Sequence, residues 1–148
     1  MEPLWEFLDF VRKVRVRARF GKLSRAPLRM LRLELSGETG ECDLMARPPD
    51  PWDTDLPSAM RERNVSLQAL EDALTVRDLL FGAVPGLTEG LVRVYRTSSS
   101  GENELIIEGT VTRDDPPTRE IRSLAMRAKL RGFRFSLEDG ILGTMHQE

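Results

Sequence analysis

The histidine and cysteine content of this sequence limits the chemistry that its side chains can perform. His146 is the only histidine and Cys42 the only cysteine among 148 residues. Catalysis by a Ser–His or Cys–His pair would depend on His146, which lies close to the carboxyl end, where chains usually fray. One cysteine cannot form an intramolecular disulfide or a multi-cysteine metal site, and zinc held mainly by carboxylates is unusual. We therefore expect no catalytic site, no bound metal and no cofactor.

Acidic residues occur as pairs at 71–72 and 114–115, and three aspartates lie in and beside the proline-rich segment 48–53. The pair at 114–115 is typical of a turn and helix cap, and the pair at 71–72 of a solvated or ion-paired helix face. The three aspartates could coordinate a hard cation, but turn and capping roles explain two of them equally well. The glycines of 82–86 lack the GK[ST] ending of a phosphate-binding loop. Structural roles are therefore favoured for all of these residues.

Basic residues are concentrated in residues 11–32, which hold nine Lys or Arg and no acid, whereas residues 34–55 hold seven acids and Arg47 alone. On a helix, Arg12, Arg15 and Arg19 would form a positive ridge able to bind phosphates or an anionic surface. The ridge lacks interleaved exposed aromatic residues, and the sequence pI of about 5.6 is unlike that of a nucleic-acid-binding domain. We favour a solvated face, or contact with an acidic segment of this chain, of a second copy or of another protein. Nucleic acid and membranes are disfavoured as partners.

Two aromatic residues with polar atoms are further candidates for a binding site. Tyr95 is the only tyrosine, and Trp52 lies within the proline-rich segment. Both could line a ligand cleft between a sheet and its helices. For Trp52 we favour the interpretation that it anchors the proline-rich segment to the core. Cys42 is interpreted as a small buried strand residue, since no basic cluster adjoins it in the sequence.

Apolar spacing at three- and four-residue steps predicts a helix over residues 3–20, which would carry the basic ridge. The apolar stripe consists of Leu4, Phe7, Leu8, Val11, Val14 and Ala18. Residues 13–20 also alternate between basic and apolar side chains, as a half-buried strand does. Helix is favoured because Arg, Lys and Ala are good helix formers.

A hairpin and a long helix are predicted next. In residues 28–47, Leu31, Leu33 and Leu35 would share one strand face, the turn would lie at 37–40, and the chain would return through Cys42 and Leu44. The helix would begin at residues 55–57, with Asp55 as its cap. Asn64, Val65 and Ser66 would break it into two pieces, with Ser66 capping the second.

The rest of the chain repeats this order. Strands are predicted at 91–97 and 104–112, a helix from 115 to 132, and a hairpin at 133–145 whose turn is formed by Asp139 and Gly140. The sequence therefore predicts one α+β domain, residues 1–148, built from helix–β-hairpin units at about 3–47, 55–112 and 115–146. The sheet would be largely antiparallel, with the helices packed on one face. The pattern does not distinguish one sheet from two.

Residues 70–142 resemble a known family. The stretch LIIEGTVTR (105–113), followed by a helix that ends in LRGFRF (130–135), resembles a BON domain. Such domains are small modules associated with membrane or envelope attachment and with ligand binding. The resemblance covers about half of the chain and transfers no functional residue.

These observations predict a non-catalytic interaction or structural domain that self-associates, with a cytoplasmic location. The charged segments are segregated, and free sheet edges could pair in a dimer. The alternative is a small-ligand-binding protein or enzyme that uses carboxylate and arginine groups in a cleft. A second alternative is an anionic surface bound by residues 12–32. A cleft with converging charged groups would favour the ligand-binding alternative.

Overall fold

The architecture was obtained as a computed structural model, which describes residues 2–17, 21, 23–24, 26–49, 52, 55–113 and 123–145. Within these residues there are three helices and seven strands. In chain order they are α1 (Glu2–Arg17), β1 (Arg29–Ser36), β2 (Thr39–Met45), α2 (Ser58–Ala83), β3 (Glu89–Thr97), β4 (Asn103–Thr112), α3 (Leu124–Leu130), β5 (Phe133–Arg134), β6 (Leu137–Glu138) and β7 (Ile141–Leu142).

The main sheet has five strands in the order β1-β2-β3-β4-β5. Every neighbouring pair in it is antiparallel except β2 and β3, which are parallel and are connected through α2. The strands β6 and β7 form a separate two-stranded sheet. The predicted α+β class with a largely antiparallel sheet is therefore confirmed, and the third hairpin is divided between an edge strand and a second sheet.

The hydrophobic core lies between one face of the main sheet and α2. Cys42, Leu44, Val92 and Val94 alternate along β2 and β3 with half-exposed residues and are at most 1% exposed. The helices α1 and α3 contact α2, so the helices pack on one face of the sheet. Burial raises the pKa of the Cys42 thiol to about 12, which agrees with its interpretation as a buried strand residue.

The first segment is helical as far as Arg17, so the strand alternative is wrong for residues 13–17; residues 18–20 lie outside the described residues. Among residues 5–17, whose side chains the structure describes, Phe10 and Val14 are buried, whereas Leu8 of the predicted stripe is 51% exposed. The packed face is therefore rotated from the predicted one, because α1 lies against α2.

A bulge in β1 changes which leucines face the core. The pairing of β1 with β2 shifts register between Met30 and Arg32. Leu31 is consequently 37% exposed, and Met30 packs against the core with Leu33 and Leu35. The prediction that Leu31 shares a face with Leu33 and Leu35 is therefore wrong.

The long helix α2 is continuous, which contradicts the predicted break at residues 64–66. It runs for 26 residues from Ser58 to Ala83, and its cap position is Pro57, which supplies no side-chain hydrogen bond. Ser66 is buried within the helix, and its hydroxyl accepts a hydrogen bond from the Leu142 amide at 2.9 Å. Ser66 therefore connects the carboxyl-terminal hairpin to α2 instead of capping a second helix.

The last helix and hairpin combine a confirmed turn with an incompletely described helix. Ser123 caps α3 by accepting a hydrogen bond from the Met126 amide at 3.2 Å, whereas the predicted start at residues 115–116 lies outside the described residues. Asp139 and Gly140 have φ angles of 54° and 81°, as a type I′ hairpin turn requires. The predicted two-residue turn is therefore confirmed.

Candidate ligand-binding cleft

The five binding residues predicted from the sequence do not form one site. Arg12 and Arg15 are exposed on α1, and Arg12 Nη2 lies 3.6 Å from the Asp9 carboxylate. Arg19 lies outside the described residues. Tyr95 alternates with Val94 along β3, so it faces away from the helices and is half-buried on the opposite face of the sheet.

Trp52 does not anchor the proline-rich segment as predicted, because its residue surface is 79% exposed. The contacts that the structure describes at this segment lie at its beginning. The Ser24 hydroxyl donates to the Pro48 carbonyl at 2.9 Å, and Arg47 immediately before it is completely buried.

A cleft of about 730 Å³ opens where the parallel strands β2 and β3 end, beside the first turns of α2. Crevices at the carboxyl ends of parallel strands are common ligand sites, because the crossover helix leaves a space there. We call it the strand-end cleft. Its lining consists of Pro27, Arg29, Met45, Ala46, Arg47, Pro48, Pro49, Glu62, Val65, Ser66, Arg96, Thr97, Ser98, Ser99, Glu104, Ile106, Ile141 and Leu142.

A second bulge supplies part of the cleft's apolar wall. Val94 pairs with Ile107 and Tyr95 with Leu105, so Ile106 is the extra residue on β4. Bulges change the direction of a side chain and are frequent beside binding sites. Ile106 lines the cleft together with Leu142, and each is 1% exposed. The wall is therefore aliphatic and already packed.

Arg96 and Glu104 form a fixed ion pair at the cleft. Arg96 Nε donates to Glu104 Oε1 at 2.8 Å, and Nη1 donates to the Leu142 carbonyl at 2.6 Å. The Thr144 hydroxyl donates to Glu104 Oε2 at 2.7 Å. The hydrogen bonds from Thr144 and then Arg96 lower the pKa of Glu104. Both oxygens of Glu104 are engaged, whereas Arg96 Nη2 makes no hydrogen bond to a residue that the structure describes.

A buried polar network holds the opposite wall. Arg47, whose side chain is fully buried, donates from Nε and Nη2 to the two oxygens of Asp72 at 2.8 and 3.0 Å. Arg47 Nη1 donates to the Ala26 carbonyl at 2.7 Å. Gln68 donates to Asp72 at 3.0 Å and accepts from the Leu23 amide at 2.7 Å. The network therefore joins α2 to the chain segments on both sides of the first hairpin.

The burial of Asp72 corrects the prediction that residues 71–72 form a solvated or i,i+4-paired stretch, since Asp72 pairs with the buried Arg47 of another segment. Its residue surface is 4% exposed, and burial raises its pKa although Arg47 opposes that rise. A signal was present in the sequence: Asp72 follows Ala69 by three residues and precedes Val76 by four, which places it on the helix face that these apolar residues occupy. Its partner Arg47, 25 residues earlier, had no such signal.

Charged residues on the opposite face of the sheet largely neutralise one another. Arg93 on β3 lies 3.4 Å from Asp43 and 3.3 Å from Glu108, its neighbours on β2 and β4. A groove of about 350 Å³ at the end of this face includes Glu34, Glu41 and Glu89 in its lining. Across the described part of the chain, no three His, Cys, Asp or Glu residues are grouped as a metal site would require.

Several apolar residues are exposed on the outer side of α1. Trp5 is 74% exposed and Val16 72% exposed, and with Leu8 they lie on the side of the helix opposite Phe10 and Val14. None of the helices in the described ranges has the length and apolar character needed to cross a bilayer.

Comparison with protein-family models, with curated proteins and with solved structures gave no match for this chain. The resemblance of residues 70–142 to a BON domain therefore stays a prediction, and the function is argued from the geometry of the strand-end cleft.

Proposed function

We propose that the protein binds a small molecule with an aliphatic body and a carboxylate head group in the strand-end cleft, without transforming it. The observation that carries the proposal is the cleft's volume of about 730 Å³ combined with its lining. Ligand pockets are typically about 300–1,000 Å³ and mostly apolar, with a few placed polar groups. Half of the lining residues here are aliphatic, Met or Pro, and none is aromatic, which favours an aliphatic body over a flat base or ring.

The free hydrogen-bonding groups of the cleft favour an anionic head group. Glu104 is occupied by Arg96 and Thr144, and Arg47 by Asp72. Donors remain at Arg96 Nη2, and Arg29 has no ion-pair partner in the described part of the chain. Guanidinium groups bind carboxylates through paired hydrogen bonds. Glu62, exposed at the rim, is the opposing charge, and it should weaken this preference only slightly because solvent screens it.

The walls of the cleft are rigid, which supports specific binding. The Arg47 network holds one wall, and the bond from the Leu142 amide to Ser66 holds the other. A ligand would then lose little of its binding free energy to ordering the protein.

Binding without catalysis is supported by the polar groups present. Ser98 and Ser99 lie at the cleft, and the hydroxyl of Ser98 forms a hydrogen bond with that of Ser100, with 2.8 Å between the oxygens. A serine nucleophile requires a neighbouring base, and the described residues that line the cleft include no histidine. The cytoplasm remains the proposed location.

Isothermal titration with three eight-carbon probes tests this function. Octanoate should bind more tightly than octanol, and octanol more tightly than octylamine, because only octanoate matches the free guanidinium groups. Val65→Phe should weaken octanoate binding by placing a phenyl ring in part of the cleft, whereas Leu67→Phe should leave it unchanged, since Leu67 lies two residues further along α2 outside the cleft. Equal binding by the two variants, or no heat with any probe, would refute the proposal.

A further inference from the structure

Within the described residues, the strand β1 lies at an edge of the main sheet. It has eight residues and pairs only with β2 among the described strands. Ser36 pairs with Thr39 across the two-residue turn, and Gly37 has a φ of 61°, as a type II′ hairpin requires. In such a hairpin the closing pair is hydrogen-bonded, so Ser36, Glu34 and Arg32 direct their backbone groups toward β2. Leu33 and Leu35 therefore direct their N–H and C=O groups outward, where they are available to another strand.

The side chains of β1 are complementary to those of a second, antiparallel copy of β1. If two copies pair about a two-fold axis at Leu33, Leu33 meets Leu33, and Arg32 of each copy lies opposite Glu34 of the other. Shifting the register by two residues in either direction places Glu34 opposite Glu34 or Arg32 opposite Arg32. Like charges directly opposite one another are destabilising, whereas opposite charges stabilise the pair. Of these three registers, the charge pattern therefore favours the one centred on Leu33.

We propose that two copies of this chain associate by antiparallel pairing of β1 with β1, centred on Leu33, so that the two main sheets become continuous. A two-fold dimer requires a self-complementary surface. This strand provides one, since both its outward N–H and C=O groups and its charged side chains match those of a second, antiparallel copy. The proposal does not depend on the strand-end cleft.

The environment of Glu34 adds a reason for association. Glu34 lies directly opposite Glu41 on β2, and its side chain is 59% exposed. Arg32 lies near Glu34 and Glu41, and a third acid, Asp43, lies 3.9 Å from the Arg32 guanidinium. In the dimer, Arg32 of the second copy would join this acid-rich group. The bulge beside Leu31 shortens the flat part of the edge, so a reversible dimer is expected instead of open-ended growth.

Charge reversal with complementation tests the pairing, measured by sedimentation velocity from low to high micromolar concentration. The wild type should show a concentration-dependent dimer. Glu34→Arg and Arg32→Glu should each weaken it by at least about tenfold, because each places like charges opposite one another at two positions. An equimolar mixture of the two variants should form a heterodimer, since both positions then carry opposite charges. Glu102→Arg, an exposed reversal in a distant loop, should dimerise as the wild type does.

The outcomes decide the proposal in either direction. A wild type that is monomeric at every concentration overturns it, as does a mixture that stays monomeric although circular dichroism shows both variants folded. If Arg32→Glu fails to fold, Leu31→Lys replaces it, because an exposed edge lysine should also prevent pairing. A dimer that resists Glu34→Arg but is lost with Trp5→Lys would assign the interface to α1 and overturn the proposal as well.

Discussion

Replacing Arg47 by methionine tests the buried network that holds one wall of the cleft. The substitution keeps much of the side chain's length but removes both hydrogen bonds to Asp72 and the one to the Ala26 carbonyl. Removing one partner of a buried ion pair typically costs about 3–5 kcal/mol, because a buried charge is left uncompensated. In a domain of this length, each kcal/mol lowers the melting temperature by about 2–4 °C. Arg47→Met should therefore melt about 6–20 °C below the wild type at neutral pH.

The loss of folding free energy caused by Arg47→Met should increase as pH rises, because Asp72 then becomes charged without its partner. Burial already raises the pKa of Asp72, and Arg47 opposes that rise, so its removal raises the pKa further. A carboxyl whose pKa is higher in the folded than in the unfolded state binds more protons in the native state. The native state therefore loses stability as pH rises from the unfolded-state pKa to the folded-state pKa. Arg47→Met should therefore be nearly as stable as Arg47→Met with Asp72→Asn in acid, and clearly less stable at neutral pH. The double variant should remain about 1–3 kcal/mol below the wild type, because the Ala26 carbonyl is still unpaired.

Urea denaturation at several pH values measures these differences. Arg29→Met is the matched control, since Arg29 is an exposed arginine of the same cleft, and its loss should change stability by less than about 0.5 kcal/mol. If Arg47→Met is within about 1 kcal/mol of the wild type, or equals the double variant at every pH, the reasoning about the network is wrong.

Three further predictions concern single residues. Gly21→Ala should lower stability by about 1–3 kcal/mol in thermal denaturation, because a Cβ at Gly21 would lie 2.3 Å from the buried, hydrogen-bonded Gln68; unchanged stability would contradict this. Cys42 should resist iodoacetamide in the native state at mildly alkaline pH and react only after unfolding, since its pKa is raised to about 12; rapid native labelling would contradict its burial. Arg113→Ala should cost about 2–3 kcal/mol, because Arg113 donates to the Phe81 and Val84 carbonyls at 2.9 and 2.8 Å, at the negative end of α2. Arg113→Lys should recover only part of that loss, and full recovery would show that the charge alone matters.

The features of the fold that depend on local chemistry were predictable from the sequence. Asp139 and Gly140 specify their turn because both positions need a positive φ, and the helical spacing of residues 2–17 was correctly preferred over strand. The helix break expected at residues 64–66 was wrong, because Ser66 is used for a tertiary hydrogen bond to Leu142. Local propensity does not reveal such a partner 76 residues away.

The cleft could not be predicted, because it is assembled from the ends of several elements. The Arg47–Asp72 pair joins residues 25 positions apart, and the bulge that directs Ile106 to the cleft exists only once β4 has paired with β3. The bulge that exposes Leu31 likewise depends on β2. Of the predicted binding residues that the structure describes, none lines the cleft, because arginines and aromatic residues in a sequence carry no information about concavity.

The most direct test of the central claim is to map octanoate binding with two-dimensional amide NMR. The proposal predicts that resonances of the strand-end cleft shift progressively with octanoate, especially those of Ala46, Val65 and Arg96. At the same octanoate concentration these shifts should be smaller in Val65→Phe and unchanged in Leu67→Phe. Shifts confined to the exposed apolar side of α1, or no shifts at all, would contradict it.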